Sequence, residues 1–244
     1  MSTKNHIIKI VRTLHLDDLF KSMKECWNDP RGGFLIPVTV KLTDPEYERY
    51  RHLEINWEIS PITKDDLPEE FSPQAVKTVD MFRRKTFDLP YECMILFDYE
   101  TGNIISCNFS DDFEDKVESE IYPEFLKTMH IASIHNHPRQ YCSPPSSKNF
   151  QMLGLEFEEF ELISSQDELW ILKSNELIFD DETIAEIRKN VDGYFNLVFE
   201  DSCNNFDKDY LFLDNLNKVY GDFLLDYLNN DFINIKLIRR YINE

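Results

Sequence analysis

Short runs of apolar residues separated by turn residues dominate the middle third of the chain, and this pattern predicts β-strands. Residues 93–97 form one apolar run, residues 99–103 contain a glycine among polar turn residues, and residues 104–109 form the return run. Two apolar runs joined by such a turn are typical of a β-hairpin. Further strands are predicted at residues 131–134, 160–164 and 169–173. Helices are predicted at residues 117–129 and 149–157.

The first part of the chain mixes strand and helix patterns. Residues 34–42 and 53–59 are predicted to be strands. Residues 73–82 are predicted to form a short helix with Ser72 as its N-cap. We therefore interpret residues 1–85 as an N-terminal α+β region, which carries no catalytic constellation and serves substrate recognition or oligomerisation.

The last part of the chain has helical spacing of its apolar residues. Helices are predicted from Asp180 or Asp181 to residue 199, at residues 210–228 and at residues 232–241. The third of these is basic near its C-terminus, which suits the helix dipole. Residues 176–244 are therefore interpreted as a C-terminal helical extension, and residues 86–175 remain as the central α/β core.

Composition and charge restrict the class of partner. The chain has 244 residues, 42% of them hydrophobic and 14% aromatic, which is enough for a sizeable core. It has 26 basic residues against 46 acidic ones, for a net charge of −20. Because binding to a phosphate backbone depends on clustered Lys and Arg, we expect no direct nucleic-acid contact and no anionic membrane surface as a partner. The acids either keep the protein in solution or attract a basic partner.

Cysteine usage and the absence of apolar spans bear on the compartment. The five cysteines are scattered without a Cys-x-x-Cys pair, which favours a reducing environment. The N-terminus has no secretory apolar core, and no apolar run reaches the length of a membrane span. We expect a cytoplasmic protein.

A His-Asn-His-Pro sequence ends the predicted strand at residues 131–134. His135 and His137 are residues i and i+2 of an extended chain, so their side chains point to the same face. Two imidazoles on one face are able to bind a single zinc ion. The alternative interpretation is a pair of ordinary polar histidines at a strand end.

Two further segments supply candidate chemistry. Ser146 and Asn149 follow the histidines after a Pro- and Ser-rich loop, and either face the histidines or form a plain helix cap. Glu92 directly precedes the strand at residues 93–97. A glutamate beside a zinc-activated water is able to act as general base, although a solvated acid at a strand end is the simpler interpretation.

Taken together, Glu92, His135-Asn-His-Pro138 and the Ser146-to-Asn149 segment resemble the JAMM motif of the MPN/JAB metalloproteases, in particular the RadC-like branch. The resemblance covers residues 90–174. It implies a cytidine-deaminase-like α/β fold, a mixed sheet flanked by helices, here with N-terminal α+β and C-terminal helical additions. It also implies zinc held by His135 and His137, Glu92 as general acid/base, and Ser146 as the hydrogen-bond donor to the oxyanion.

The chain departs from the family pattern at two points. The loop between His137 and Ser146 is one residue longer than the usual form, a change that loops tolerate. More importantly, Asn149 stands where the family has its aspartate ligand. An amide oxygen is able to coordinate zinc but carries no charge, so we expect weaker binding. Cys142 in the same loop is an alternative third ligand, and a site without a third protein ligand is the remaining option.

Three functions follow from this pattern. The first is a zinc-dependent metalloprotease or isopeptidase acting on a protein or peptide, for which the family suggests a ubiquitin-like tail. The second is a non-catalytic MPN-type scaffold with a degenerate metal site, which the substitution at Asn149 favours. The third, a partner in DNA transactions, rests on the RadC-like resemblance alone and is opposed by the net charge of −20. The oligomeric state stays open.

Overall fold

The computed structural model describes residues 45–110, 130–139, 141–154, 158–174, 179–205, 210–232 and 234–242. The strand predicted at residues 34–42 and the helix predicted at residues 117–129 lie outside these ranges. The described α-helices are α1 (Pro45–Arg51), α2 (Pro73–Thr86), α3 (Asp181–Asn205) and α4 (Tyr210–Asp231). Short 3-10 helices occupy Lys64–Asp66 and Asn149–Gly154.

A mixed sheet of six strands forms the centre of the described structure. The strands are β1 (Cys93–Asp98), β2 (Ile104–Phe109), β3 (Ile131–Asn136), β4 (Glu158–Ser164), β5 (Glu168–Ser174) and β6 (Ile235–Tyr241). Their order across the sheet is β2-β1-β3-β4-β5-β6. Strands β3 and β4 run parallel, and the other neighbouring pairs run antiparallel. The predicted α/β class, a mixed sheet flanked by helices, is therefore confirmed.

The predicted β1–β2 hairpin forms because its turn residues suit the turn. Gly102 has φ +75, a conformation that residues with a side chain rarely adopt. A Cβ at this position would lie 2.6 Å from the backbone of Gln74 in α2, so the close approach of that helix also requires glycine. The Asp98 carboxylate accepts hydrogen bonds from the N–H groups of Glu100 and Thr101, each 2.9 Å long.

Side chains alternate between the two faces of the sheet, as the period of two in a strand dictates, and each face carries one large hydrophobic core. Leu96 and Ile131 form a separate small cluster. The first core joins helix α2 to strands β1, β3 and β4 through buried residues that include Val79, Phe82, Ile95, Phe97 and Ile134. The second core joins helices α3 and α4 to strands β5 and β6 through residues that include Trp170, Ile187, Leu224 and Leu237.

Helix boundaries agree closely with the local signals. Helix α2 begins after Ser72, whose hydroxyl accepts a hydrogen bond from the Ala75 N–H at 3.1 Å, and it continues beyond the predicted end. Helix α3 begins after Asp180, whose carboxylate accepts from the Thr183 N–H at 2.7 Å. Among the described residues, no helix combines the length and the apolar character needed to cross a membrane.

Two predicted elements are wrong. Residues 53–59 form no strand; instead the Arg84 guanidinium donates to the carbonyl oxygens of Asn56 and Ile59, each at 3.2 Å. Residues 232–241, predicted as a helix, contain strand β6, so the C-terminal region is not helical throughout. Ile235 and Leu237 point into the second core as alternate residues of a strand. Pairing with β5 provides hydrogen-bond partners for backbone N–H and C=O groups that a helix would pair internally.

Candidate metal centre

The two histidines lie where strand β3 ends beside β4. His135 is inside β3, and the N–H of His137 donates to the carbonyl oxygen of Ser164 at 2.8 Å, which continues the alignment with β4. His135 is 6% exposed. The Nε2 atoms of His135 and His137 are 3.3 Å apart. The structure therefore brings both predicted ligands together with the same ring nitrogen facing inward.

The outer nitrogen of each ring faces an acceptor. His137 Nδ1 is 2.7 Å from the carbonyl oxygen of Cys142, and His135 Nδ1 is 3.6 Å from Oε1 of Glu161. A proton on Nδ1 lets His137 donate to the Cys142 carbonyl and, in His135, faces the Glu161 carboxyl across the longer distance of 3.6 Å. This tautomer leaves the lone pair on Nε2 of each ring, where it is able to bind a metal. Burial lowers the pKa of His137 to about 4, and burial together with the neighbouring His137 lowers the pKa of His135 well below its usual value.

This arrangement fits a zinc ion. Two Nε2 lone pairs that face each other at 3.3 Å repel unless a cation or a proton lies between them. Zinc–nitrogen bonds of about 2.0–2.1 Å in a tetrahedral site place two ligand nitrogens about 3.3–3.4 Å apart. The observed separation of the two Nε2 atoms agrees with that value.

Asn149 reaches the histidines with its amide nitrogen rather than its oxygen. Nδ2 lies 3.4 Å from His135 Nε2 and donates to Oε1 of Glu161 at 2.7 Å. Oδ1 accepts from the backbone N–H of Ser146 at 2.7 Å and from its hydroxyl at 3.1 Å. Coordination through the amide oxygen, as predicted, therefore requires the amide to rotate and to exchange these hydrogen bonds.

Ser146 is exposed and close to the site. Its hydroxyl donates to Asn149 Oδ1, so it does not cap the following 3-10 helix through a helix N–H, the plain alternative for this segment. Ser146 lines the same cavity as His137 and Glu92. The three predicted groups thus share one solvent-accessible space.

Glu92 is held beside the histidines by its backbone. Its N–H donates to Ser110 Oγ at 3.0 Å, and its carbonyl oxygen accepts from the Ser110 N–H at 2.9 Å. Asn136, between the two histidines, accepts from the Cys93 N–H at 2.7 Å and donates to the Tyr91 carbonyl at 3.1 Å. Asn136 therefore ties the segment that carries Glu92 to the histidine strand, a role that sequence reasoning missed.

Glu161 is the main residue that sequence reasoning missed. It is buried in β4, its Oε1 contacts both Asn149 and His135, and its Oε2 has no hydrogen-bond partner among the described residues. Burial, and then the charge of Glu158, raises the pKa of Glu161 well above its usual range. The available signal was Glu161 between apolar neighbours in the strand predicted at residues 160–164, since a glutamate is almost never fully buried without a partner.

Cys142, the alternative third ligand, is partly buried in the same cavity. Burial raises the pKa of its thiol to about 12, which favours the protonated form over the thiolate that binds metal. Its backbone carbonyl, rather than its sulfur, contacts His137. The four cysteines in the described ranges are free of disulfides.

The remaining donors do not complete a charged site. Within the part of the chain that the structure describes, no group of three or more His, Cys, Asp or Glu side chains is arranged to hold a metal ion. The donor set consists of two imidazoles with a neutral amide beside them. No family model, no curated protein and no solved structure matches this chain. The function is therefore inferred from the geometry of the site.

Proposed function

We propose that this chain is a zinc-dependent metallohydrolase of the JAMM/MPN type, RadC-like, that hydrolyses a peptide or isopeptide bond. The observation that carries the proposal is the separation of 3.3 Å between the Nε2 atoms of His135 and His137. The outer nitrogen of each ring faces an acceptor, which is the arrangement that orients imidazoles toward a metal. The mixed sheet flanked by helices supports the cytidine-deaminase-like fold of that family.

His135 and His137 are the residues that would hold the ion, with Asn149 as the third neighbour. When bound, zinc supplies Lewis-acid chemistry: it lowers the pKa of a water molecule and polarises the carbonyl group. Glu92 faces the same cavity and takes a proton there, then returns it to the leaving amine. Ser146 presents a hydroxyl to the same space and donates to the oxygen that gains charge.

Burial keeps the pKa of Glu161 well above its usual range, but the charge of a bound zinc ion would favour its ionised form, which would then supply the negative charge that Asn149 lacks. Its carboxylate lies behind His135 and accepts a hydrogen bond from the Asn149 amide, so it orients both groups. A carboxylate in this position makes the imidazole a better donor to a metal, and outer-sphere partners of this kind typically contribute about 10–100-fold to metal affinity. Glu161 is thus a positioning residue, since it acts through His135 and Asn149.

The second candidate is a non-catalytic MPN-type scaffold. The orientation of Asn149 favours it, because an NH2 group faces His135 where the family places an anionic oxygen. In that function the cavity binds a protein segment without hydrolysis. The two candidates differ in zinc affinity and turnover.

Zinc titration of the purified full chain tests the proposal. We expect about one zinc per chain, and no measurable binding after H135A together with H137A, because both imidazole nitrogens that would hold the ion are lost. H52A is the matched control, since the side chain of His52 is 82% exposed and lies outside the site. Full zinc occupancy in the double variant would overturn the assignment of the ligands. Tight zinc binding without cleavage of peptide or isopeptide libraries would favour the scaffold.

A further inference from the structure

The candidate catalytic residues share their cavity with helices α3 and α4. The cavity has a volume of about 510 Å³, within the range of roughly 300–1,000 Å³ that is typical of ligand sites. One part of its lining is polar and contains Glu92, His137 and Ser146. The other part is apolar and mostly aromatic: Phe195, Phe199, Phe212, Leu213, Leu216 and Tyr220. These six residues are called the apolar wall below.

The apolar wall is only partly covered by the protein itself. Phe199 is 41% exposed, and Phe212 and Leu213 are half-buried. The rings of Phe199 and Phe212 pack edge to face with centroids 5.5 Å apart. Leu216 and Tyr220 are buried, and the Tyr220 ring packs edge to face against Phe195 at 5.2 Å. Contiguous apolar surface that is left open inside a concave site is typical of a ligand contact.

Hydrogen bonds fix the apolar wall relative to the candidate catalytic residues. The Tyr220 hydroxyl donates to the carbonyl oxygen of Pro145 at 2.9 Å, directly before Ser146. The side chain of Asn217 accepts from the backbone N–H of Ser143 at 3.0 Å. Helix α4 is therefore bonded at two points to the loop that joins His137 to Ser146, and the polar and apolar parts of the cavity form one preorganised surface.

We propose that the apolar wall is a specificity pocket in the substrate site. It binds a bulky apolar side chain of the substrate, aromatic or leucine-like, that neighbours the bond cleaved beside His137 and Glu92. This inference rests on the proposed function and names the substrate class for that site. The cavity joins a polar part, suited to an amide group, to an apolar part suited to a neighbouring side chain. Asp192 and Lys148 also line the cavity, outside the apolar wall. A charged side chain placed against the phenyl rings would lose hydration, and glycine would leave the wall uncovered.

Three zinc-chelating probes that differ only in their side chain test this pocket. The probes are the hydroxamates of N-acetyl-phenylalanine, N-acetyl-leucine and N-acetyl-glycine, and their affinities are measured on the zinc-loaded full chain. Burial of a Phe or Leu side chain should make the first two bind at least about tenfold more tightly than the glycine probe. Equal affinity for all three would overturn the pocket while leaving the zinc site intact.

Variants of the apolar wall, each compared with a control variant on the same helix, test whether the wall causes the preference for the phenylalanine probe. F199S and L213S should reduce the advantage of the phenylalanine probe severalfold, because each removes apolar surface from the wall. L197S and V219S are matched controls, since these residues are 65% and 36% exposed on the same two helices and do not line the cavity. A preference that survives both wall variants, or that falls equally in the controls, would contradict the proposal. Thermal melts confirm that each variant folds.

Failure of the pocket is distinguishable from failure of the proposed function. If the chain binds no zinc, the hydroxamates lose their anchor, and N-acetyl-phenylalaninamide is compared with N-acetyl-glycinamide on the zinc-free protein by ligand-observed NMR. Preferential binding of the phenylalanine amide, lost in F199S and L213S, would support the pocket without the enzyme. Equal or absent binding of the two amides would overturn it.

Discussion

Glu161 in β4 and Glu168 in β5 are both buried carboxylates on neighbouring strands, but their surroundings differ. Glu168 forms a salt bridge with Arg239 in β6, and it accepts hydrogen bonds from Trp170 Nε1 at 2.9 Å and from Ser143 Oγ at 2.5 Å. Glu161 accepts one hydrogen bond from a neutral amide, and its second oxygen has no hydrogen-bond partner within the described ranges.

The contrast separates a charge-balanced structural network from the network around the proposed metal site, which we call the functional network. Around Glu168 every oxygen has a partner and the charge is balanced, so the network ties β6 and the loop at Ser143 to the sheet. Around Glu161 one carboxyl oxygen has no hydrogen-bond partner within the described ranges, burial raises the pKa of the group, and two imidazole nitrogens face each other nearby. Native proteins rarely leave buried polar groups unsatisfied, and a buried group whose pKa is strongly shifted is a candidate for a functional residue.

The largest expected effect on stability tests the structural network. R239A should lower the free energy of unfolding by about 3–5 kcal/mol, because it leaves Glu168 buried without its counter-charge. Urea unfolding measures the change, and R240A, which alters an exposed neighbour in the same strand, is the control. A loss below about 1 kcal/mol would mean that the ion pair does not hold β6 on the sheet.

The next largest effect is on the rate of cleavage, and it tests Glu92 as the proposed general base. E92Q should retain zinc and the fold but lose about 10²-fold or more in the single-turnover rate of cleavage, because an amide cannot accept the proton. The measurement is single-turnover cleavage of whichever peptide or isopeptide the wild type cleaves, with zinc content determined in parallel. Unchanged turnover would remove Glu92 from the mechanism.

A third, smaller effect tests whether Glu161 supplies the charge missing at Asn149. E161Q should weaken zinc binding by about 10–100-fold, and N149D together with E161Q should recover much of it, because the negative charge moves to the neighbouring side chain. E159Q, on the exposed side of the same strand, should leave zinc affinity unchanged. If C142S weakens binding instead and E161Q does not, Cys142 is the third ligand.

The smallest expected effect is a pH dependence of the free energy of unfolding, caused by Glu158, which is buried near Glu161. Burial raises the pKa of Glu158 from its ordinary value of 4.5 to about 7, against the opposing hydrogen bond from Ser133. Its protonated form therefore stabilises the fold below pH 4.5, and that contribution is lost as the pH rises toward 7. E158Q should remove this loss. The free energy of unfolding of E158Q minus that of the wild type should therefore rise by on the order of 1 kcal/mol from pH 5 to pH 8. Equal pH slopes in urea unfolding would contradict it.

The sequence by itself determined the elements whose signals are local. The β1–β2 hairpin follows from a turn glycine between two apolar runs, and helix α2 follows from the cap at Ser72. The extended chain that leaves β3 at Asn136 and continues to His137 places both imidazoles on one face, because side chains of an extended chain repeat every second residue. These features need only the conformational preferences of neighbouring residues.

Only the tertiary structure decided the features that depend on distant residues. The apolar pattern around Ile235 and Leu237 is compatible with either a helix or a strand. Pairing with the edge of β5 selects the strand, because β5 supplies the hydrogen-bond partners for its backbone. Glu161 lies 26 residues after His135 in sequence, and only the parallel pairing of β3 with β4 brings its carboxylate to the imidazole. The orientation of the Asn149 amide was fixed in turn by that carboxylate and by the Ser146 N–H, because hydrogen-bonding partners from separate segments select one rotamer.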